Sequence, residues 1–288
     1  MGEMINGGLV LEGGGMKGIF TAGVLDFLMD KGIMFRSIYG VSAGACHMTS
    51  YISGQRGRAL DVSVDYLDTR WYCGIPSLVT TGNLFNTDVV YGLIPEDLNP
   101  FDHEAYEKYE GCAYSVVTDV ETGKPEYLRV KTCRGEGMDR IRASASLPLV
   151  ARMVRIGGHK YLDGGLSDAI PLERSIMSGN EKNLVVLTKE VGYVRTPIPG
   201  YELATLRIRY AAYPEIWKLM RNRDIRYNRQ MEYVHRMEED GRAMVIRPQH
   251  KSNTGRIDKN PEHLQALYRE GYEEAERNFE KLKEYFGI

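Results

Sequence analysis

Three short stretches carry residue types whose spacing suits one chemistry. The segment Gly40-Val41-Ser42-Ala43-Gly44 matches G-x-S-x-G, which seats a serine on a sharp strand-to-helix turn. Glycines two positions to either side let the strained backbone pass without a clash. The helix that follows offers partial positive charge to a developing alkoxide. A serine hydroxyl needs a proton acceptor, and "YLDGGLSDAIP" supplies Asp163, followed by Gly164 and Gly165. Asp168 is the competing carboxylate, but its place before "AIPLERS" suits a helix N-terminus better. The third stretch, "LVLEGGGMKGIF", sets Gly13, Gly14, Gly15 and Gly18 around Lys17. Such a loop of backbone N–H groups holds either a phosphate or the oxyanion of a reacting ester.

The choice between those anions follows from what surrounds the loop. Gly13, Gly15 and Gly18 satisfy G-x-G-x-x-G, but a dinucleotide fold wants an acidic residue at the end of the second strand, and here that strand ends in "YGVSAG". A phosphate-binding P-loop wants Lys and Ser or Thr after its last glycine, where this chain has Ile19. The oxyanion reading survives. Gly14 and Gly15, with Gly13, would donate to an ester oxygen held over Ser42, and Lys17 would brace the loop or add positive potential. A Ser–Asp–His triad would have to recruit His235, His250 or His263, none of which follows an evident strand. His47 is expected to point away from Ser42, and His159 to lie in a loop. A Ser42–Asp163 dyad is the simpler arrangement.

These residues need a scaffold that brings distant segments to one edge. "GGLVLEGG" reads as a buried strand, "KGIFTAGVLDFLMDKG" as a helix ending at Gly32, "RSIYG" as a second strand and "SAGACHMTSYISG" as a second helix. Residues 55–109 read as an insertion of short helices and loops that shapes an acyl pocket. Strands follow in "CAYSVVTDV", "EYLRVK", "HKYLDGG" and "NLVVLTKE", with helices in "GMDRIRASASLP" and "IPLERSIMSG". This alternation predicts an α/β fold with a mainly parallel central sheet between helical layers. Beyond Val194 the chain turns helical, apart from a short strand in "RAMVIRP". Asn260 and Pro261 mark the start of a last amphipathic helix whose stripe runs from Leu264 to Phe286. The expected division is a core over residues 1–194 and a mostly helical extension, packed on the core, over residues 195–288.

Taken together, the motifs resemble those of the patatin-like phospholipases. That family's G-G-G-x-[R/K]-G is Gly13 to Gly18 here, its G-x-S-x-G is Gly40 to Gly44, and its D-G-[G/A] is Asp163-Gly164-Gly165. The order agrees, the segment "RASASLPLV" is family-like, and the resemblance runs over about residues 8–190. The tail also looks like the extension of a bacterial branch. The resemblance implies a three-layer α/β/α fold and a serine acyl hydrolase of phospholipase, lysophospholipase or esterase type. It further implies an acyl-enzyme on Ser42, Asp163 as general base, an oxyanion hole from Gly13, Gly14 and Gly15, and no cofactor or metal. Lys17 stands where many relatives carry Arg, so the loop lacks that residue's planar fork of donors.

Composition narrows the partners. The 288 residues are 43% hydrophobic and carry a formal net charge of -2, which gives no bulk attraction to nucleic acid. Cys46, Cys73, Cys112 and Cys133 are scattered and suggest a reduced, cytoplasmic setting. The opening "MGEMINGG" has no secretory pattern, and no apolar run approaches the ~18 residues that span a bilayer. A lipid or acyl-ester substrate with peripheral contact at the inner membrane surface is the expected partner; no pattern encodes an oligomeric state. A lipid-binding or regulatory protein of this fold with little catalysis is the alternative. It would use Arg207, Arg209, Lys218, Arg221, Arg223, Arg226 and Arg229, interleaved with Tyr210, Tyr213, Trp217 and Tyr227. The simpler reading of that run is a solvated helix face with its aromatics turned inward.

Overall fold

The computed structural model describes residues 4–67, 69 and 71–288. The chain opens with β1 (Ile5–Leu11), a 3₁₀ turn at Gly15–Gly18, α1 (Ile19–Asp30), β2 (Phe35–Val41) and α2 (Ala43–Ile52). The insertion follows as α3 (Arg58–Val64), α4 (Ile75–Thr81), a π-helical turn at Val89–Leu98 and α5 (His103–Glu107). The core resumes with β3 (Cys112–Asp119), β4 (Pro125–Arg129), α6 (Glu136–Ser144), β5 (Val154–Ile156), β6 (His159–Asp163), α7 (Leu172–Met177) and β7 (Asn183–Val186). Last come α8 (Gly200–Arg209), α9 (Pro214–Arg221), α10 (Arg223–Glu239), β8 (Ala243–Ile246), α11 (Pro261–Arg277) and α12 (Phe279–Phe286).

All the strands join one sheet in the order β5-β6-β3-β2-β1-β7-β8, with β4 paired to β3. The run β3-β2-β1-β7-β8 is parallel, whereas β4, β5 and β6 pair antiparallel. The period-2 alternation of β1 divides the core into two layers. Leu9 and Leu11 pack with Phe20, Val24, Met48 and Leu264 on one face. Val10 packs with Leu172, Val185, Tyr227 and Val234 on the other. Helices therefore cover both faces, and the sheet is buried as parallel sheets are.

The segment beyond Val194 is built into this body. β8 extends the sheet beside β7, and α11 lies against α1 with almost no side chain between them. A β-carbon on Gly23 would collide with the Tyr268 carbonyl, and one on Gly271 with the Phe20 carbonyl. Asp26 of α1 accepts hydrogen bonds from Tyr268 and from the Gly57 N–H, tying both α11 and the insertion to α1. At the start of α11, the Asn260 side chain accepts from the Glu262 N–H. The expected single C-terminal helix is broken at Asn278, and the three-residue β5 and the largely exposed α8 had no clear sequence pattern. Among the described residues, no helix is long and apolar enough to cross a membrane.

Candidate active site

Strand register brings the three motifs to one height. Leu11 pairs with Gly40, so the glycine loop and Ser42 leave adjacent parallel strands side by side. Val41 pairs with Val116, and the neighbouring Val117 pairs with Asp163, which arrives from the antiparallel β6. The meeting point is the carboxyl edge of the parallel strands, where open α/β sheets form their crevices.

Ser42 has φ 54° and ψ −121°, a conformation that L-residues rarely adopt and that local packing must enforce. Its N–H donates to Ser144 Oγ at 2.8 Å, and that hydroxyl donates to the Val116 carbonyl at 2.6 Å. The turn closes tightly: a β-carbon on Gly44 would lie 2.6 Å from the Leu11 carbonyl oxygen, and one on Gly40 2.6 Å from Ala45 Cα. The sequence offered no separate sign that Ser144 mattered, beyond its place inside "RASASLPLV".

Asp163 is buried. Its backbone N–H donates to the Ser146 carbonyl, and its own carbonyl accepts from Thr118 Oγ1. Oδ1 accepts the Gly165 N–H at 2.7 Å. Oδ2 is buried without a hydrogen-bond partner among the described residues. Burial pushes the carboxyl above its ordinary pKa; the Ser42 hydroxyl is foremost among the groups that pull it back, followed by Arg223, the Gly165 N–H and Arg256. The Ser42 hydroxyl thus lies within the electrostatic reach of Asp163 without a hydrogen bond of ordinary geometry. Such contacts commonly tighten only when substrate is bound. Asp168, the competing carboxylate, accepts from Tyr127 through Oδ2 and from Gln230 through Oδ1, so both its oxygens are engaged. Gly164 passes so close to the Val116 carbonyl that no β-carbon fits there.

The glycine loop rests directly on the serine, for a β-carbon on Gly13 would lie 2.7 Å from Ser42 Cβ. Among the described residues, no hydrogen bond engages the N–H groups of Gly13, Gly14 or Gly15. Gly15 has φ +60°, and its Cβ position is filled by the Arg256 carbonyl, which accepts the Met16 N–H. Glu12, just before the loop, is buried and fixes it. Its carboxylate accepts from the Thr188 N–H and hydroxyl and from Tyr227 of α10. Lys17 is half-buried and makes no ion pair or side-chain hydrogen bond among the described residues, while Gly18 lets the turn abut Ala43. Glu12 as the loop's anchor was not anticipated, because its partners lie far along the chain.

Ser42 opens into an apolar cavity of about 360 Å³ lined by residues of the insertion, among them Ala59, Val62, Leu84, Tyr91 and Ile94. The volume falls in the range of small-molecule sites. His47 also lines this cavity, in contact range of the Gly18 position, and burial holds its pKa down to about 4, so it stays neutral. His159, His235 and His263 contact Asp119, Glu238 and Asp258 instead, and none hydrogen-bonds Asp163. Among the described residues, one group has metal-like convergence: Asp119 and Glu126 of the β3–β4 hairpin with His159 at the start of β6. Asp119 there already accepts the Glu121 and Thr122 N–H groups, and Glu126 accepts from Tyr161. All four cysteines are free.

The chain is similar to several known proteins. A model of the patatin-like phospholipase family matches residues 9–176. A second model, a domain of unknown function (DUF6363), matches residues 213–287. The uncharacterized protein YjjU of Escherichia coli K12 is 32% identical over 193 residues, covering 66% of this chain and 54% of YjjU. A probable lipid hydrolase, 463L, of Invertebrate iridescent virus 6 is 24% identical, covering 61% of this chain and 65% of the viral protein. An uncharacterized NTE family protein of Mycobacterium tuberculosis, Rv2565, is 28% identical, covering 57% of this chain and 27% of its own. The chain thus spans about half the length of YjjU and about a quarter of the mycobacterial protein. In structure it resembles VipD from Legionella pneumophila with a TM-score of 0.52 and 13% identity, over 96% of this chain and 67% of VipD.

Proposed function

The chain belongs to the patatin-like phospholipase family, and from that premise we propose that it is a serine acyl hydrolase that cleaves carboxylic esters of lipids through a Ser42–Asp163 dyad. The observation that carries the reading is Asp163 Oδ2, a buried acceptor with no hydrogen-bond partner among the described residues, on a residue that lines the same pocket as Ser42. Asp163 takes the Ser42 proton as Oγ bonds to the ester carbonyl carbon. The N–H groups of Gly13, Gly14 and Gly15 receive the developing oxyanion; one such donor is worth on the order of 3 kcal/mol in a transition state. Collapse breaks the ester C–O bond, and the departing alkoxide takes the proton from Asp163. Water then attacks the acyl-enzyme, giving its proton to Asp163, which returns it to Ser42 as the fatty acid leaves.

The apolar cavity beside Ser42 supports an acyl chain as the group held during this cycle. Trp71, Ile75 and Val79, exposed on the insertion that lines it, suit contact with a lipid aggregate at the inner face of a membrane, in a cytoplasmic setting. No cofactor enters the cycle. Replacing Ser42 with Ala should lower hydrolysis of a short acyl ester by about 10⁴-fold or more, and Asp163→Asn nearly as far. Full activity in both variants would refute the dyad, and liposome binding without any turnover would favour a lipid-binding role instead.

A further inference from the structure

The apolar cavity at Ser42 has a direction and an end. Two helices run along it in opposite senses. α2 leaves Ser42 and lines the cavity through Cys46 and Thr49 as far as Ser50. α6 comes back from Met138 through Ile141 to Ala145, next to Ser144, whose hydroxyl accepts the Ser42 N–H. At about 1.5 Å of rise per residue, the stretch from Ser42 to Ser50 covers about 12 Å and that from Met138 to Ala145 about 10 Å. Both helices therefore give the cavity nearly the same depth.

The far end is blind. Gln55, just beyond α2, donates through Nε2 to the Pro100 carbonyl and accepts the Asp102 N–H through Oε1, which pins Phe101 at that end of the helix. Phe101 and Cys133 line the cavity there and are buried. Arg58 lines it too, with its guanidinium 5.1 Å from the Phe101 ring centroid and Nη2 donating to the Asn99 carbonyl. The near end opens beside the glycine loop. Ile257 lines the cavity there, next to Arg256, whose carbonyl touches Gly15, and is exposed. Between the two ends the wall offers little to a polar group. The Thr49 hydroxyl donates to the Cys46 carbonyl and the Ser63 hydroxyl to the Ala59 carbonyl, so both are taken within their own helices. A chain tethered by its ester at Ser42 gains with every methylene that it lays along this wall. The gain stops at the blind end, because a methyl pressed on the Arg58 guanidinium takes water from a cation and returns no hydrogen bond. An extended chain advances about 1.2 Å per bond, a third of the rise of an extended residue, so the depth accommodates about ten bonds.

We propose that this blind cavity is a ruler for the acyl chain, selecting esters of straight medium-chain acids of about eight to ten carbons, with Phe101, Arg58 and Met138 setting the limit. Longer chains leave methylenes outside the mouth, and shorter ones leave the wall unfilled. In turnover the ruler rests on the hydrolase reading, whereas the binding of a chain in the cavity does not.

The test uses p-nitrophenyl esters from butanoyl to hexadecanoyl, so that the leaving group is constant. In the wild type kcat/KM should rise about fourfold per methylene as far as octanoyl or decanoyl, and then level or fall. Met138→Ala deepens the blind end and Ala59→Leu fills it. The ratio of dodecanoyl to octanoyl kcat/KM should rise about tenfold in the first variant and fall in the second. Any effect on the shared chemistry, or on the fraction of folded protein, cancels in that ratio. In parallel, the fatty acids of the same series are titrated calorimetrically into the wild type. Affinity that grows to decanoate and then stops supports the ruler even if no ester is turned over, in which case only the hydrolase reading falls. Values of kcat/KM still climbing through hexadecanoyl, a profile flat across the series, or a peak that neither variant moves overturns the ruler and leaves the hydrolase intact. Neither turnover nor fatty-acid binding overturns both.

Discussion

A carboxylate is a weak base for a serine hydroxyl, and each residue around Asp163 bears on that weakness. Burial raises its pKa above the ordinary carboxylate value, while the Ser42 hydroxyl, Arg223, the Gly165 N–H and Arg256 pull it back, so under the proposed mechanism these groups set the acid limb of activity. Hydrolysis needs the ionised form, so kcat/KM should fall as pH drops through the Asp163 pKa, above the ordinary carboxylate value. Arg223→Gln removes a stabilising cation and must shift that limb to higher pH, read from the pH–rate profile on a neutral ester. A limb that stays put or moves to lower pH would contradict Asp163 as the base. Ser144 acts through Ser42 as a positioning residue. Ser144→Ala leaves the buried Ser42 N–H without its acceptor and should destabilise the protein by about 1–3 kcal/mol. It should also lower kcat more than it raises KM, because the hydroxyl touches the turn and not the substrate. Both catalytic candidates were legible in the sequence, since each motif is local and its glycines are forced by close approach. Ser144 and Glu12 were not, because their partners lie 102 and 215 residues away.

At the scale of elements, helices brace the loops that carry the candidate residues. Through Tyr227, α10 grips Glu12 below the glycine loop, and through Gln230 and Arg226 it grips Asp168 and the Leu166 carbonyl below the aspartate turn. The sequence pointed to this run as a solvated basic face with its aromatics turned inward. Tyr210 and Tyr227 are buried accordingly, whereas Arg223 turns to the site rather than to solvent. The α1–α11 contact was equally illegible, because Gly271 interrupts an amphipathic stripe for a reason visible only in its partner, the Phe20 carbonyl. Gly271→Val should force these helices apart and destabilise the protein by about 1–3 kcal/mol or more, measured as a lowered denaturation midpoint. An unchanged midpoint would mean that the helices are not in backbone contact.

For the whole molecule, the fold class was readable because βα units recur with turn residues at each junction, and parallel order follows from that alternation. The β3–β4 hairpin was readable as well, from the turn "ETGK" between its strands, but the antiparallel pairing of β5 and β6 was not, since pairing at the end of a parallel run leaves no periodic mark. We propose that the division near residue 194 separates two sequence segments within one cooperative body. β8 completes the sheet edge beside β7, and Arg256 reaches the glycine loop. A chain ending at residue 194 would expose the β7 edge and leave the apolar faces of β1 and β7 without Tyr227 and Val234. It should be recovered as aggregate rather than as an active core, judged by size-exclusion chromatography and ester turnover. A monodisperse, active fragment would show that the C-terminal segment is an accessory.

The central claim is that Ser42 is a nucleophile activated by Asp163, and one labelling experiment tests it most directly. The intact protein is exposed to a fluorophosphonate, digested, and its adduct located by peptide mass. The dyad requires a single adduct on Ser42, lost in Ser42→Ala and formed far more slowly in Asp163→Asn. An adduct on another residue, or labelling of Asp163→Asn at the wild-type rate, would contradict it.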